Sequence, residues 1–169
     1  MISYRKKICL IGDFAVGKTS LVKRYVDNIF AEDYMTTVGV SIVTKEVQFD
    51  QHARVKFVIW DIAGADKLTT VSRSYLAGAN GYVLVADGTR TDTIESALAL
   101  KAAIDNALSQ PKSIQLLNKH DLIDDWKIDA NTHAHLHAGM KWQLTSAKSG
   151  EGVEQAFISL ARRFLDDVR

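Results

Sequence analysis

Cysteine and proline are almost absent from this 169-residue sequence, which has one of each, Cys9 and Pro111. A single cysteine cannot form an intramolecular disulfide, so we expect Cys9, inside an apolar stretch, to be a small core residue. The sequence also has no internal repeat, no low-complexity segment and no proline-rich linker. Because a chain of this length is about one domain, we expect a single domain over residues 1–169.

An excess of charge of one sign is missing too, because 21 Lys and Arg residues balance 20 Asp and Glu residues. A balanced chain creates no net field toward nucleic acid or an anionic membrane, so we expect neither as a direct partner. No stretch is long and apolar enough to span a bilayer, and the first residues lack the apolar region of a signal peptide. Position 2 is Ile2 rather than the glycine that myristoylation needs, and no cysteine for prenylation stands near Arg169. We therefore expect a cytoplasmic monomer with no membrane anchor of its own.

Residues 12–19 read Gly-Asp-Phe-Ala-Val-Gly-Lys-Thr and fit the phosphate-loop pattern G-x-x-x-x-G-K-[ST]. An apolar run predicted as a strand precedes them, and a predicted helix follows. Gly12 and Gly17 let the backbone approach a phosphate closely, and the amides at the helix start point at the anion. Lys18 can reach the terminal phosphates and the Thr19 hydroxyl can bind Mg²⁺. The alternative is an ordinary glycine turn before a helix. The predicted nucleotide contacts of this loop are Ala15, Val16, Gly17, Lys18, Thr19 and Ser20.

Predicted strands alternate with predicted helices along the rest of the chain, which indicates an α/β fold with a mostly parallel sheet. Two β-branched stretches, 38–49 and 55–60, predict strands joined by a turn around 50–52. Three further apolar runs, at 82–86, 114–117 and 142–144, predict later strands. Helices are predicted after 92, over about 129–138, and from 153 to the end. Polar turns ending at Gly64, Asp121 and Lys148 each follow a strand, so we expect them to meet the phosphate loop at one site.

Five segments in order resemble the motifs of the Ras-superfamily small GTPases and cover essentially the whole chain. They are the phosphate loop, Thr37, Asp61-Ile62-Ala63-Gly64, Asn118-Lys119-His120-Asp121, and Thr145-Ser146-Ala147-Lys148. The Rab branch is the nearest likeness, since residues 37–40, 59–61 and 74–81 resemble its sequences. The resemblance implies a P-loop NTPase fold of three layers, in which a mostly parallel six-stranded sheet has helices on both faces.

A guanine site is also indicated by the chemistry of Asp121. Its carboxylate can accept hydrogen bonds from guanine N1–H and the 2-amino group together, whereas adenine would leave that carboxylate unpaired. A site of this kind discriminates by roughly 10⁴–10⁵-fold. Asn118 would tie the base to nearby loops, and the Lys119 stem would lie along one ring face. The resemblance implies further base contacts from Phe30, Ser146, the Ala147 amide and Lys148.

The resemblance implies binding of GTP and GDP with Mg²⁺. The Thr37 hydroxyl would join Thr19 on the ion, and Asp61 would hold a metal-bound water. The Gly64 amide would touch the γ-phosphate, so Lys18, Thr37 and Gly64 would take part in the reaction. Because the Thr37 and Gly64 contacts require a triphosphate, they would let GTP and GDP select different loop conformations. The alternative for Thr37 is an ordinary loop threonine.

Two residues depart from the family pattern at the hydrolysis step. Ala65 stands where efficient members carry the glutamine that orients the attacking water. Phe14 stands where a small residue is usual, and its ring should crowd the γ-phosphate side, where a partner's arginine would enter. We expect slow hydrolysis; the alternative is that the chain hydrolyses GTP by other means.

The resemblance also suggests an exchange factor and an effector that binds an apolar patch of Ile42, Trp60 and Leu76, unless these residues are buried. His133, His135 and His137 recur at every second residue, and we interpret them as a solvated helix face rather than a metal site. Three functions remain open: a GTPase switch with slow hydrolysis, a hydrolysis-deficient module that stays GTP-bound, and an adenylate-using phosphoryl transferase, which Asp121 disfavours.

Overall fold

A computed structural model describes residues 2–33, 36–49, 53–128 and 140–166. Within these ranges six strands form one sheet: β1 (Ile2–Gly12), β2 (Val40–Gln48), β3 (Ala53–Ile62), β4 (Gly81–Asp87), β5 (Lys112–Asn118) and β6 (Trp142–Leu144). The helices are α1 (Lys18–Asp27), α2 (Thr70–Leu76), α3 (Thr91–Ala107) and α4 (Val153–Asp166), with a 3₁₀ helix at His120–Asp125.

The sheet order is β2-β3-β1-β4-β5-β6, and all neighbouring strands are parallel except β2 and β3. β4 is buried along its whole length, as expected for a strand covered on both faces. Its side chains alternate between two apolar layers: Val83 and Val85 face the layer of α1 and α4, whereas Tyr82 and Leu84 face that of α2 and α3. The predicted three-layer α/β architecture is therefore confirmed.

Aromatic rings pack together in the apolar layer between the sheet and helices α1 and α4. The ring of Tyr25 in α1 stacks on Phe157 in α4 with centroids 3.9 Å apart, and Phe164 meets Phe57 of β3 edge-on. Such pairs stabilise by about 1 kcal/mol beyond the apolar area that they bury. Cys9 is buried in the other layer, and burial raises the pKa of its thiol to about 12. It is a core residue, as its sequence context predicted.

Helix α2 was not predicted, because its sequence is mostly polar. A capping box starts it: the Thr69 side chain accepts from the Ser72 amide, and the Ser72 hydroxyl accepts from the Thr69 amide. The helix ends at Leu76, which is buried. The predicted helix over 129–138, its three histidines and the predicted turn at 50–52 lie outside the described residues. Among the helices of the described ranges, none is long and apolar enough to cross a membrane.

Candidate functional site

The phosphate loop joins the end of β1 to the start of α1, and its close packing requires both glycines. A Cβ at Gly12 would lie 2.3 Å from the carbonyl oxygen of Val85, and a Cβ at Gly17 would lie 2.3 Å from Asn118 Nδ2. Gly17 also has φ 103°, a conformation that strains other residues. Asn118 Nδ2 donates to the carbonyl oxygen of Val16 at 3.0 Å. The end of β5 is therefore tied directly to this loop.

Lys18 lies buried within the loop. Its Nζ donates to the carbonyl oxygens of Gly12, at 3.1 Å, and of Asp13, at 2.9 Å. Burial lowers the pKa of Lys18 to about 8, although the charges of Asp61 and Asp13 oppose that shift. A buried ammonium whose hydrogen bonds go to neutral carbonyls lacks full charge compensation, which a bound phosphate would supply.

The three residues of the predicted magnesium site, Thr19 and Thr37 as ligands and Asp61 through a water, are brought together beside Lys18. The Thr19 hydroxyl donates to Asp61 Oδ2 at 2.6 Å and is hydrogen-bonded to the Thr37 hydroxyl. The other carboxylate oxygen, Asp61 Oδ1, is buried without a hydrogen-bond partner. Burial raises the pKa of Asp61, partly offset by the Thr19 hydroxyl and the Lys18 ammonium. An all-oxygen cluster with a buried carboxylate oxygen still free of partners fits a hard divalent cation.

A cleft of about 500 Å³ extends from the phosphate loop to the turns after β5 and β6. Most of the predicted nucleotide-binding residues line it: Ala15, Gly17, Ser20, Phe30, Asn118, Lys119, Asp121, Ala147 and Lys148. Val16 and Ser146 have buried side chains instead. The structure thus assembles in one cleft residues that lie more than 130 positions apart in the sequence.

The polar side chains of the base end are held by their neighbours. Ser146 Oγ donates to Asp121 Oδ1 at 2.7 Å. Asn118 Oδ1 accepts from the Thr145 hydroxyl at 3.2 Å and from the Ala147 amide at 3.3 Å. The bond from the Ala147 amide is long, so this N–H can be shared with a second acceptor in the cleft.

Lys119 is fixed by a carboxylate that the sequence reasoning missed. Its Nζ lies 2.6 Å from Asp87 Oδ2, and the Asp87 side chain is fully buried at the end of β4. Burial alone would raise the pKa of Asp87, but the Lys119 ammonium and two hydrogen bonds from Thr89 lower it below its usual range. The sequence offered one signal for this residue, because Asp87 is an acidic residue at the end of a continuous apolar run.

Arg90, also missed, connects this carboxylate to the phosphate loop. Its Nε lies 3.3 Å from Asp87 Oδ2, and its Nη2 donates to the carbonyl oxygen of Phe14 at 2.6 Å. One buried carboxylate therefore binds both Lys119, which lines the cleft, and Arg90, which contacts the phosphate loop.

The segment after β3 packs directly on the phosphate loop. A Cβ at Gly64 would lie 2.6 Å from the Phe14 Cα, so no other residue fits there without a shift. The Ala65 amide donates to the carbonyl oxygen of Gly12 at 3.1 Å. The Phe14 side chain is half exposed.

The predicted effector patch needs one correction. Leu76 is only 2% exposed, because the short α2 turns it into the core, so it cannot be part of a surface patch. Ile42 is 50% exposed on β2, directly opposite the half-buried Trp60 on β3. Val38 and Val71 are exposed as well, and neither was predicted to be part of the patch.

A glycine-bounded loop that leads from the first strand of a mostly parallel sheet into a helix, with a lysine at the helix start, defines the P-loop nucleotide-binding class. A sequence model of the Ras family matches residues 7–166. The chain belongs to the Ras family.

Named relatives agree with the Rab likeness. Ras-related protein Rab-32A of Dictyostelium discoideum is 35% identical over 177 residues, covering 98% of this chain and 81% of that protein. Human Ras-related protein Rab-32 is 33% identical, covering 94% and 74%. Ras-related protein Rab-1D of D. discoideum is 35% identical, covering 92% and 78%. The predicted resemblance to the Rab branch is confirmed, and the chain is a GTP-binding protein of the small-GTPase class.

Proposed function

We propose that this chain, as one domain, is a Mg²⁺-dependent switch that binds GTP and GDP and hydrolyses GTP slowly. The observation that carries the proposal is the convergence of Thr19, Thr37 and Asp61 beside the buried ammonium of Lys18. These groups offer oxygens to a divalent cation and a positive charge to a phosphate at the same place.

The base end of the cleft supports selection of guanine. The Asp121 carboxylate would accept from N1–H and the 2-amino group, and Ser146 already orients it from one side. The Ala147 amide would donate to guanine O6, and the Lys119 stem and Phe30 ring would cover the base. Adenine presents no donor pair to Asp121, which disfavours the phosphoryl-transferase alternative.

At the phosphate end, the phosphate-loop amides and Lys18 would hold the β- and γ-phosphates. The hydroxyls of Thr19 and Thr37 would bind Mg²⁺, and Asp61 would hold it through a water. When bound, the ion offsets negative charge on the phosphates. Thr37 and the Gly64 amide make contacts that only a triphosphate satisfies, so loss of the γ-phosphate would release both segments.

Slow hydrolysis is expected because Ala65 lacks a side chain that could orient water and Phe14 is bulky. The Ala65 methyl group cannot orient an attacking water, although its backbone amide is anchored to Gly12. The half-exposed Phe14 ring would obstruct an incoming arginine. The alternative is a hydrolysis-deficient module that stays GTP-bound. In either case the exposed side chains of Val38, Ile42 and Val71, with Trp60, would be presented to an effector.

The nucleotide carried by freshly purified protein tests these functions. Purification in Mg²⁺, denaturation and chromatography of the released nucleotide should give GDP for a slow switch and GTP for a hydrolysis-deficient module. Lys18→Ala is the matched control and should carry far less nucleotide. ADP or ATP in the wild type would contradict guanine selection. The monomeric state and the cytoplasmic location stay predictions.

A further inference from the structure

Trp126 directly follows the 3₁₀ helix that contains Asp121. Its indole Nε1 donates to the carbonyl oxygen of Lys119 at 3.0 Å, and its backbone amide donates to Ile123 at 3.1 Å. The ring also meets His120 edge-on, with centroids 5.6 Å apart. Trp126 therefore closes the short helix back onto its first residues.

The indole ring occupies space that exists because residue 88 is a glycine. A Cβ at Gly88 would lie 2.1 Å from the Trp126 ring, and the three atoms nearest to it all belong to that ring. Gly88 is itself part of the site's framework, since its amide donates to the carbonyl oxygen of Asn118 at 3.1 Å. The ring thus lies against the backbone that follows Asp87, the partner of Lys119.

Lys119 needs such support because its backbone is left-handed, with φ 69°. That conformation is unfavourable for a residue with a side chain and persists only where neighbours hold it. Asp87 binds the ammonium, and the carbonyl accepts from the Trp126 indole and, within the 3₁₀ helix, from the Leu122 amide at 2.9 Å. Together they set the direction of the Lys119 stem across the cleft.

We infer that Trp126 is a positioning residue of the base pocket, which acts through Lys119 and needs glycine at position 88. The inference rests on the proposed binding of guanine nucleotides. If Trp126 only filled the edge of the core, its loss would lower the melting temperature without a specific effect on nucleotide release. A positioning role instead predicts faster release, and predicts that residue 88 acts through the same ring.

The test measures dissociation of N-methylanthraniloyl-GDP at fixed Mg²⁺ in excess GDP, with the fluorophore excited directly so that loss of a tryptophan does not alter the signal. Trp126→Phe keeps a ring but loses the N–H donor, and should release the probe roughly 3- to 10-fold faster. Trp126→Ala should have a larger effect. Gly88→Ala should resemble Trp126→Ala, because the new methyl group must displace the ring.

The double variant separates a positioning role of Trp126 from simple filling of the edge of the core. Once the ring is gone, the methyl group at 88 has nothing to displace, so Gly88→Ala/Trp126→Ala should release the probe no faster than Trp126→Ala alone. Tyr82→Phe is the matched control: it removes a hydroxyl that donates to Asp105 at 2.6 Å and accepts from Lys101 at 3.4 Å, in the same core layer but at the opposite end of β4. It should leave release unchanged.

Three results would overturn the inference. They are unchanged release in Trp126→Phe, additive effects of the two substitutions, and equal acceleration in Tyr82→Phe. A wild type that binds no guanine nucleotide would overturn the proposed function and this inference together, whereas normal binding with any of those three results would overturn this inference alone.

Discussion

The base-binding end and the hydrolysis end of the candidate site differ in how their side chains are held. At the base end, Asp121, Asn118 and Lys119 each have a hydrogen-bond or ionic partner from another segment of the chain. At the hydrolysis end, Phe14 and Ala65 have apolar side chains, and hydrogen bonds are made by the Phe14 carbonyl and the Ala65 amide. We therefore expect base recognition and GTP turnover to depend largely on different residues.

The largest expected effect comes from breaking the base end at Asp121. Asp121→Asn replaces an acceptor with an amide that has a donor face, and should move the preference from guanine toward xanthine. The loss of GTP preference should approach the roughly 10⁴-fold range seen when a polar recognition pair is mismatched. Competition binding with GTP, ATP and XTP measures it. Asp124→Asn, an equivalent change at an exposed residue of the same 3₁₀ helix that does not line the cleft, should leave preference intact. Unchanged GTP preference in Asp121→Asn would remove the assignment.

The second-largest effect is expected at Asp87, whose carboxylate binds Lys119 in the cleft and Arg90 beside the phosphate loop. Asp87→Asn leaves Lys119 and Arg90 without their charge partner and should cost about 3 kcal/mol of unfolding free energy at pH 7. In a chain of this size the melting temperature should fall by roughly 6–12 °C. Because the pKa of Asp87 is lowered in the folded state, its stabilisation is present above the usual aspartate pKa and is lost as pH falls through the folded value.

Thermal unfolding of wild type and Asp87→Asn across pH 3–7 checks this pH dependence. The difference between their melting temperatures should narrow below about pH 4. Glu46→Gln is the control, since it breaks an exposed pair with Arg54 at 3.3 Å and should change stability by less than about 1 kcal/mol. A gap that widened on acidification would contradict the ionic role of Asp87.

A smaller effect is expected from repair of the hydrolysis end. Wild type should hydrolyse GTP at or below about 10⁻⁴ s⁻¹. Ala65→Gln alone should help little, because Phe14 still obstructs access. Combined with Phe14→Gly, it should gain on the order of tenfold more than the product of the separate effects. Single-turnover hydrolysis in the four proteins measures this, with GDP affinity as the control for an intact base end. Rapid wild-type turnover would mean that another residue positions the water.

The smallest effect should come from loosening the base end without removing its charge. Ser146→Ala deletes the hydrogen bond to Asp121 and should weaken GDP binding by about 1 kcal/mol, roughly fivefold, without altering base preference. Equilibrium titration with GDP and XDP separates affinity from preference. Ser159→Ala, which deletes a hydroxyl bond to Ala156 within α4, should bind GDP normally. A change of preference in Ser146→Ala would assign part of base selection to the serine.

The sequence predicted the sheet and most of the cleft because these depend on local patterns. The apolar run before Gly12 and the polar turns after β3, β5 and β6 are readable in short windows. Leu76 was misassigned because a seven-residue helix of mostly polar sequence gives no clear apolar face. Which side of such a helix meets the sheet is decided by packing.

Asp87, Arg90 and Trp126 were missed for a different reason. Their roles depend on β4 lying beside β5 in a register that places Asp87 opposite Asn118. A parallel pairing between segments that a whole helix separates leaves no mark in either segment alone. An acidic residue, an arginine and a tryptophan in three separate stretches become one network only through that pairing.

The antiparallel pair of β2 and β3 has a geometric consequence. Its register runs unbroken from Val40 opposite Ile62 to Gln48 opposite Arg54. One end of this ribbon continues into the segment of Thr37, and the same end on the other strand continues into the segment of Gly64. The segments of Thr37 and Gly64 therefore leave the same end of one paired ribbon, where the Ala63 amide also donates to the carbonyl oxygen of Gly39 at 2.9 Å. The strand register sets the spacing at which the two segments begin, whatever side chains the ribbon carries.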